Sequence, residues 1–163
     1  MERGGRASAR WVGSWPLFAI GGIGVIAGGL VAAATAPSPT EHGSWAAAYL
    51  VLVVGVAQVA LGAGQLALCE GTPSTRLVGL EAAGWNVGNA LVIAGTLAGN
   101  AAAVYAGGAL LVVALATFTH GVRRSPALSR GGRLLLYAFR TLVLLLLVSI
   151  PTGLVLATIR GGS

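Results

Sequence analysis

The chain has 163 residues, 56% of them hydrophobic and only 9% charged, with a mean hydropathy of +0.86; soluble domains carry about 25% charged residues, so a water-soluble fold is excluded and an all-α membrane bundle is expected. Every positive side chain is an arginine and every acid a glutamate, giving a net charge of +6, and the arginines gather at the ends of apolar runs, which points to lipid phosphates and away from nucleic acid. A single cysteine, Cys69, excludes an intrachain disulfide, a CxxC redox pair and a thiolate metal cage.

Five apolar runs are long enough to cross a bilayer, at roughly 14–36, 45–69, 77–98, 101–120 and 133–158. They leave no room for a soluble domain. Residues 1–13 form a basic tail carrying Arg3, Arg6 and Arg10, and the first span follows with Gly24 and Gly28 in GxxxG spacing. The same stretch, ending in Ala34-Thr35-Ala36, also fits a cleavable signal peptide, although cleavage there would leave Pro37 first. Pro37-Ser38-Pro39-Thr40 breaks the chain, and Glu41-His42 reads as a solvated cap before Ser44.

In the second span, 100° per residue places Gly55, Gln58, Gly62, Gln65 and Cys69 on one face, with Ala60 and Gly64 as a second small-residue pair. After Gly71-Thr72-Pro73-Ser74 the third span aligns Glu81, Gly84, Trp85, Gly88, Val92, Gly95 and Gly99, with Asn86 and Asn89 beside that stripe. Gly84 and Gly88 form a third packing pair. Gly99-Asn100 is the tightest turn and makes the third and fourth spans a hairpin. The fourth span ends at His120. The fifth contains Arg140 and Pro151, which removes a backbone donor from the carbonyl of Leu147 and predicts a kink relieved locally by Ser149 and Thr152.

Arginine placement sets an expected orientation. Arg3, Arg6, Arg10, Arg76, Arg123, Arg124, Arg130 and Arg133 fall on one side, whereas the other carries Glu41, His42 and Asn100 and no arginine until Arg160. The positive-inside rule then predicts a cytoplasmic N-terminus and an external C-terminus in the cytoplasmic (inner) cell membrane. Trp11 and Trp15 fit the inner aromatic belt, Trp45 and Tyr49 the outer one.

Glu81 and Arg140 are the charges inside apolar runs. Each lies about 8–10 Å from its nearest boundary arginine at 1.5 Å per residue, level with Gln65 and His120, so these four are expected to form one cytoplasm-facing polar cluster. A paired charge escapes much of the roughly 2.5–3.5 kcal/mol insertion cost of a lone one, and arginine offers a planar fork to a carboxylate. The alternative is that Arg140 snorkels to lipid phosphates while Glu81 takes up a proton or meets water.

No metal or cofactor is expected: His42 and His120 fall at opposite ends of their spans, some 30 Å apart by the thickness of the hydrocarbon core, so one chain cannot ligate a haem through both. The serines have no histidine at their depth to activate them, and catalysis is not expected, a membrane-embedded redox or lipid-modifying enzyme being the third reading after the two that follow. The leading expectation is a non-catalytic accessory or assembly subunit of a larger membrane complex, partnered by lipid and by other membrane subunits or itself. The second is a small oligomeric transporter or channel with a polar path along Gln58, Gln65, Glu81, Asn86, Asn89 and Arg140.

Overall fold

A computed structural model describes residues 2–69, 74–122 and 130–161, with side chains described for 13–69, 74–122 and 130–150. Within them the chain forms five helices: α1 (Glu2–Thr35), α2 (Glu41–Leu68), α3 (Thr75–Leu97), α4 (Ala101–Val122) and α5 (Arg130–Gly161). Each contains a stretch long and apolar enough to cross a membrane. The helix α2 is continuous but not uniform. It is α-helical over Glu41–Tyr49 and Gln58–Leu68, with a π-helical segment, Leu50–Ala57, between them.

Local chemistry explains where the helices start and stop. Thr40 accepts a hydrogen bond from the Gly43 amide (3.0 Å), so α2 begins at Glu41, ahead of the expected 45. Glu41 and His42 therefore belong to the first helical turn, where an acid complements the helix dipole. Ser74 caps α3 by accepting from the Leu77 amide at 3.2 Å. At the third turn Gly99 takes a φ of +63°, open to a residue without a Cβ, while the Asn100 amide reaches the Gly95 carbonyl (2.7 Å) and the Gly99 amide that of Thr96 (3.3 Å). Asn100 then accepts from the Ala103 amide at 3.1 Å and starts α4. One dipeptide thus ends one helix and caps the next, at the turn the sequence predicts.

The backbone of α1 is helical from Glu2, through the basic N-terminal residues. The helix α5 likewise continues through Pro151. Ser149 donates to the Leu146 carbonyl at 2.8 Å rather than to that of Leu147. The side chains of Pro151 and Thr152 lie outside the described residues.

Small residues set the packing. Along α1, Gly21, Gly24 and Gly28 lie against α2, and a Cβ on Gly28 would come within 2.8 Å of the Ala47 carbonyl oxygen, one on Gly24 within 3.2 Å of the Gly55 backbone. The two helices run antiparallel with Leu17 opposite Gly62. One step further along this register, Ser14 comes level with Gln65. The α3–α4 hairpin closes on Gly88 and Gly107, where a Cβ on Gly107 would meet the Gly88 carbonyl oxygen at 2.6 Å. Gly64 receives the ring of Phe139 from α5. Of the expected glycine pairs, Gly24/Gly28 and Gly88 are thus consumed inside the chain. Gly84 has looser neighbours (Ala114 Cβ at 3.6 Å), and Ala60 is half-buried.

The core is built from Leu17, Leu61, Leu68, Val78, Trp85, Leu111, Leu115 and Phe118, with Phe139 and Val143 from α5. Coverage is uneven: 44% of the apolar stretch of α2 is buried but only 11% of that of α5. Over the described residues, the apolar stretch of α2 is the most covered and that of α5 the least.

Candidate functional site

The buried face of α3 repeats every three or four residues: Val78, Glu81, Ala82, Trp85, Gly88, Asn89 and Gly95. On α2, Gln58, Leu61, Gly62, Gly64, Gln65 and Leu68 are buried, Gly62 against α1 and Gly64 against α5. Hydrogen bonds from Gln65 to Glu81 and from Tyr49 to Asn89 join α2 to α3 along one seam.

At its arginine-bearing end, Gln65 Nε2 donates to Glu81 Oε1 at 2.8 Å, and both side chains are 1% exposed. Gly121 of α4 leaves this pair room, since a Cβ there would sit 3.4 Å from Gln65 Nε2. Cys69, half-buried beside it, has its thiol 3.1 Å from the Gly121 carbonyl oxygen. Trp85, one turn above Glu81, packs edge-on to Phe118 with ring centroids 6.4 Å apart.

At the far end of the seam Tyr49 donates its hydroxyl to Asn89 Oδ1, and Asn89 Nδ2 donates to the Trp85 carbonyl, both at 2.8 Å. Asn86 instead turns back on its own helix, donating to the Ala82 carbonyl at 2.7 Å, and is half-buried. Between the two ends lies Gln58, fully buried.

Among the described residues, both amide atoms of Gln58, Gln65 Oε1, Glu81 Oε2 and Trp85 Nε1, and Ser14 Oγ on α1, are buried with no hydrogen-bond partner within the protein. Buried polar atoms in native proteins nearly always have partners, so such a group calls for a water, an ion or a ligand.

Of the four residues expected to cluster, the structure joins Gln65 to Glu81. Among the described residues the Glu81 oxygens hold Gln65 and no other hydrogen-bond partner, and Glu81 and Arg140 are not paired. Arg140 is exposed on α5, and His120 is exposed near the end of α4. The physical reason is phase: the Phe139 ring takes the inward position against Gly64 and turns its neighbour Arg140 outward. Arg140 instead lines a crevice of about 270 Å³ with Thr119, Val122, Leu136 and Phe139.

One participant, Tyr49, escapes a reading of the sequence, and it does so for a geometric reason. It lies 16 residues before Gln65, and at 100° per residue the two would point about 160° apart. The wider turns of Leu50–Ala57 wind the chain less per residue and return Tyr49 to the α3 side.

No protein-family model matches the chain, and no curated protein or solved structure is significantly similar to it.

Proposed function

We propose that the chain is a multi-pass protein of the cytoplasmic membrane, N-terminus inside and C-terminus outside, that conducts or transports a small polar solute or ion along the α2–α3 seam. The observation carrying this reading is the row of buried polar side chains, Gln58, Gln65, Glu81 and Trp85, that keep unpartnered polar atoms. In hydrocarbon an unsatisfied polar group costs several kcal/mol, and ionisable residues inside a bundle commonly mark ion or substrate pathways. Glu81 supplies the charge, Gln65 orients it, and Gln58 and Asn89 extend the path toward Tyr49.

Exposed large apolar side chains on every helix, among them Ile26, Leu52, Leu80, Val113 and Leu144, support insertion in lipid. The expectation of an accessory subunit loses one support, because Gly24, Gly28 and Gly88 are occupied by intrachain neighbours. It retains another: α5 is sparsely covered and carries the exposed Arg140, a helix face on which a partner subunit would find a charge to pair. Stoichiometric co-purification after mild extraction is the mark of that second reading.

Hydration of the seam tests the first. In a Cys69→Ser background, Gln58→Cys should react with a small charged thiol reagent far faster than Leu61→Cys, its buried apolar neighbour on α2. Equal inertness of the two would mean a dry seam and would end the transport reading.

A further inference from the structure

We infer that the crevice between α4 and α5 is a binding site for the headgroup of an anionic phospholipid, drawn from the leaflet in contact with the arginine-bearing end of the bundle. This inference does not depend on the transport reading, since it concerns a different face of the molecule.

The crevice of about 270 Å³ is amphipathic: Val122, Leu136 and Phe139 give it apolar walls, and Arg140 gives it a charge. Thr119, also in its lining, donates its hydroxyl to the carbonyls of Leu115 and Ala116. Among the described lining residues, that leaves the Arg140 guanidinium as the side-chain donor facing a ligand. A guanidinium presents its N–H groups as a planar fork that matches two phosphate oxygens at once.

The surrounding helix surface has the polarity of a phospholipid. Arg133 lies two turns before Arg140 on the same face of α5 and is exposed, as is Arg130. One and two turns beyond Arg140 come Leu144 and Val148, 61% and 57% exposed. Charge therefore sits toward the start of the helix and bare hydrocarbon follows it. A phosphate held by Arg140, with Arg133 nearer the aqueous boundary, would lay its acyl chains along Leu144 and Val148. The volume suits a headgroup and not a whole lipid, and the exposed stripe takes the remainder.

A free inorganic anion would use Arg140 alike but would gain nothing from Leu144, Val148 or the apolar walls. The Arg140 side chain has the reach to snorkel toward the headgroup layer, and basic pockets between helices at the cytoplasmic side are the kind that select anionic lipids.

The test uses the full chain purified in detergent and exchanged into mixed micelles containing either phosphatidylglycerol or phosphatidylcholine, with retained lipid counted by native mass spectrometry. Wild type should retain phosphatidylglycerol in preference to phosphatidylcholine, and Arg140→Gln should reduce that preference about fivefold, the weight of one arginine near a charged lipid surface. Leu136→Trp, which fills the crevice and leaves the charge, should also lose the bound lipid. Equal retention of the two lipids by wild type, or an unchanged preference in Arg140→Gln, overturns the assignment. So does displacement of the lipid by millimolar inorganic phosphate, which would make this a simple anion site.

Discussion

Gln58 is the side chain that packing alone explains least. It is fully buried, and neither its amide nitrogen nor its oxygen has a partner. Leaving a buried donor or acceptor unmade costs about 1–3 kcal/mol, whereas leucine has a similar volume and no polar atoms. Gln58→Leu should therefore stabilise the protein by about 1–3 kcal/mol while abolishing flux, read as a higher melting temperature in detergent beside a loss of activity after reconstitution. A lower melting temperature would mean that the amide is satisfied in the native membrane and serves the fold. Glu81 and Gln65 were legible as inward residues because each lies in an uninterrupted α-helical stretch, where 100° per residue holds. Asn89 was harder to separate from Asn86: both border the same stripe, and only the contact with Tyr49 singles out the first. Whether Glu81 and Arg140 pair is not legible in the sequence for a related reason. Depth along the helix axis was readable, but the rotation of α5, fixed by Phe139 against Gly64, was not.

Among the elements, α2 governs the assembly because α1 and α5 pack directly on its small residues and α3 bonds to its polar face. The glycines divide into two groups that the spacing of the sequence does not separate. A Cβ on Gly28 or Gly55 would run into backbone atoms of the neighbouring helix at 2.8 Å, whereas Gly22 and Gly29 have open space around them. Gly28→Ala and Gly55→Ala should each destabilise the bundle by about 1–3 kcal/mol, the usual range for overpacking. Gly22→Ala and Gly29→Ala should be close to neutral. Thermal denaturation of the four variants checks this, and uniform behaviour across them would contradict the α1–α2 packing. That α1 carries close-packing glycines could be read from Gly24 and Gly28. Their partner could not, because a GxxxG pair fits an intrachain neighbour and a second chain equally well. The π-helical segment was likewise invisible: Leu50–Ala57 is a run of apolar residues with nothing in its composition to announce wider turns.

For the whole molecule, five helices long and apolar enough to cross a membrane were readable, since length and hydropathy carry that information directly, and the breaks at 36–40 and 99–100 fall where expected, while those at 70–73 and 123–129 lie outside the described residues. The exception, the start of α2, came from a Thr40 cap hidden among prolines and small polar residues. Orientation is the main expectation at this scale. A reporter that fluoresces only in the cytoplasm should be bright when fused at the N-terminus and dark at the C-terminus, and a phosphatase active only outside should show the reverse. Two termini on the same side would contradict five crossings, and a mature chain starting at Pro37 would remove the first of them.

The most direct measurement is flux through the purified chain reconstituted alone in liposomes, followed with dyes for protons and alkali cations and with small polar solutes. Wild type should move at least one of them above the leak of protein-free vesicles. Glu81→Gln, which keeps an oxygen to accept from Gln65, should remain folded and lose that flux. A Glu81→Gln protein that conducts like wild type, or a wild type no leakier than bare lipid, would contradict a transport role for the buried seam.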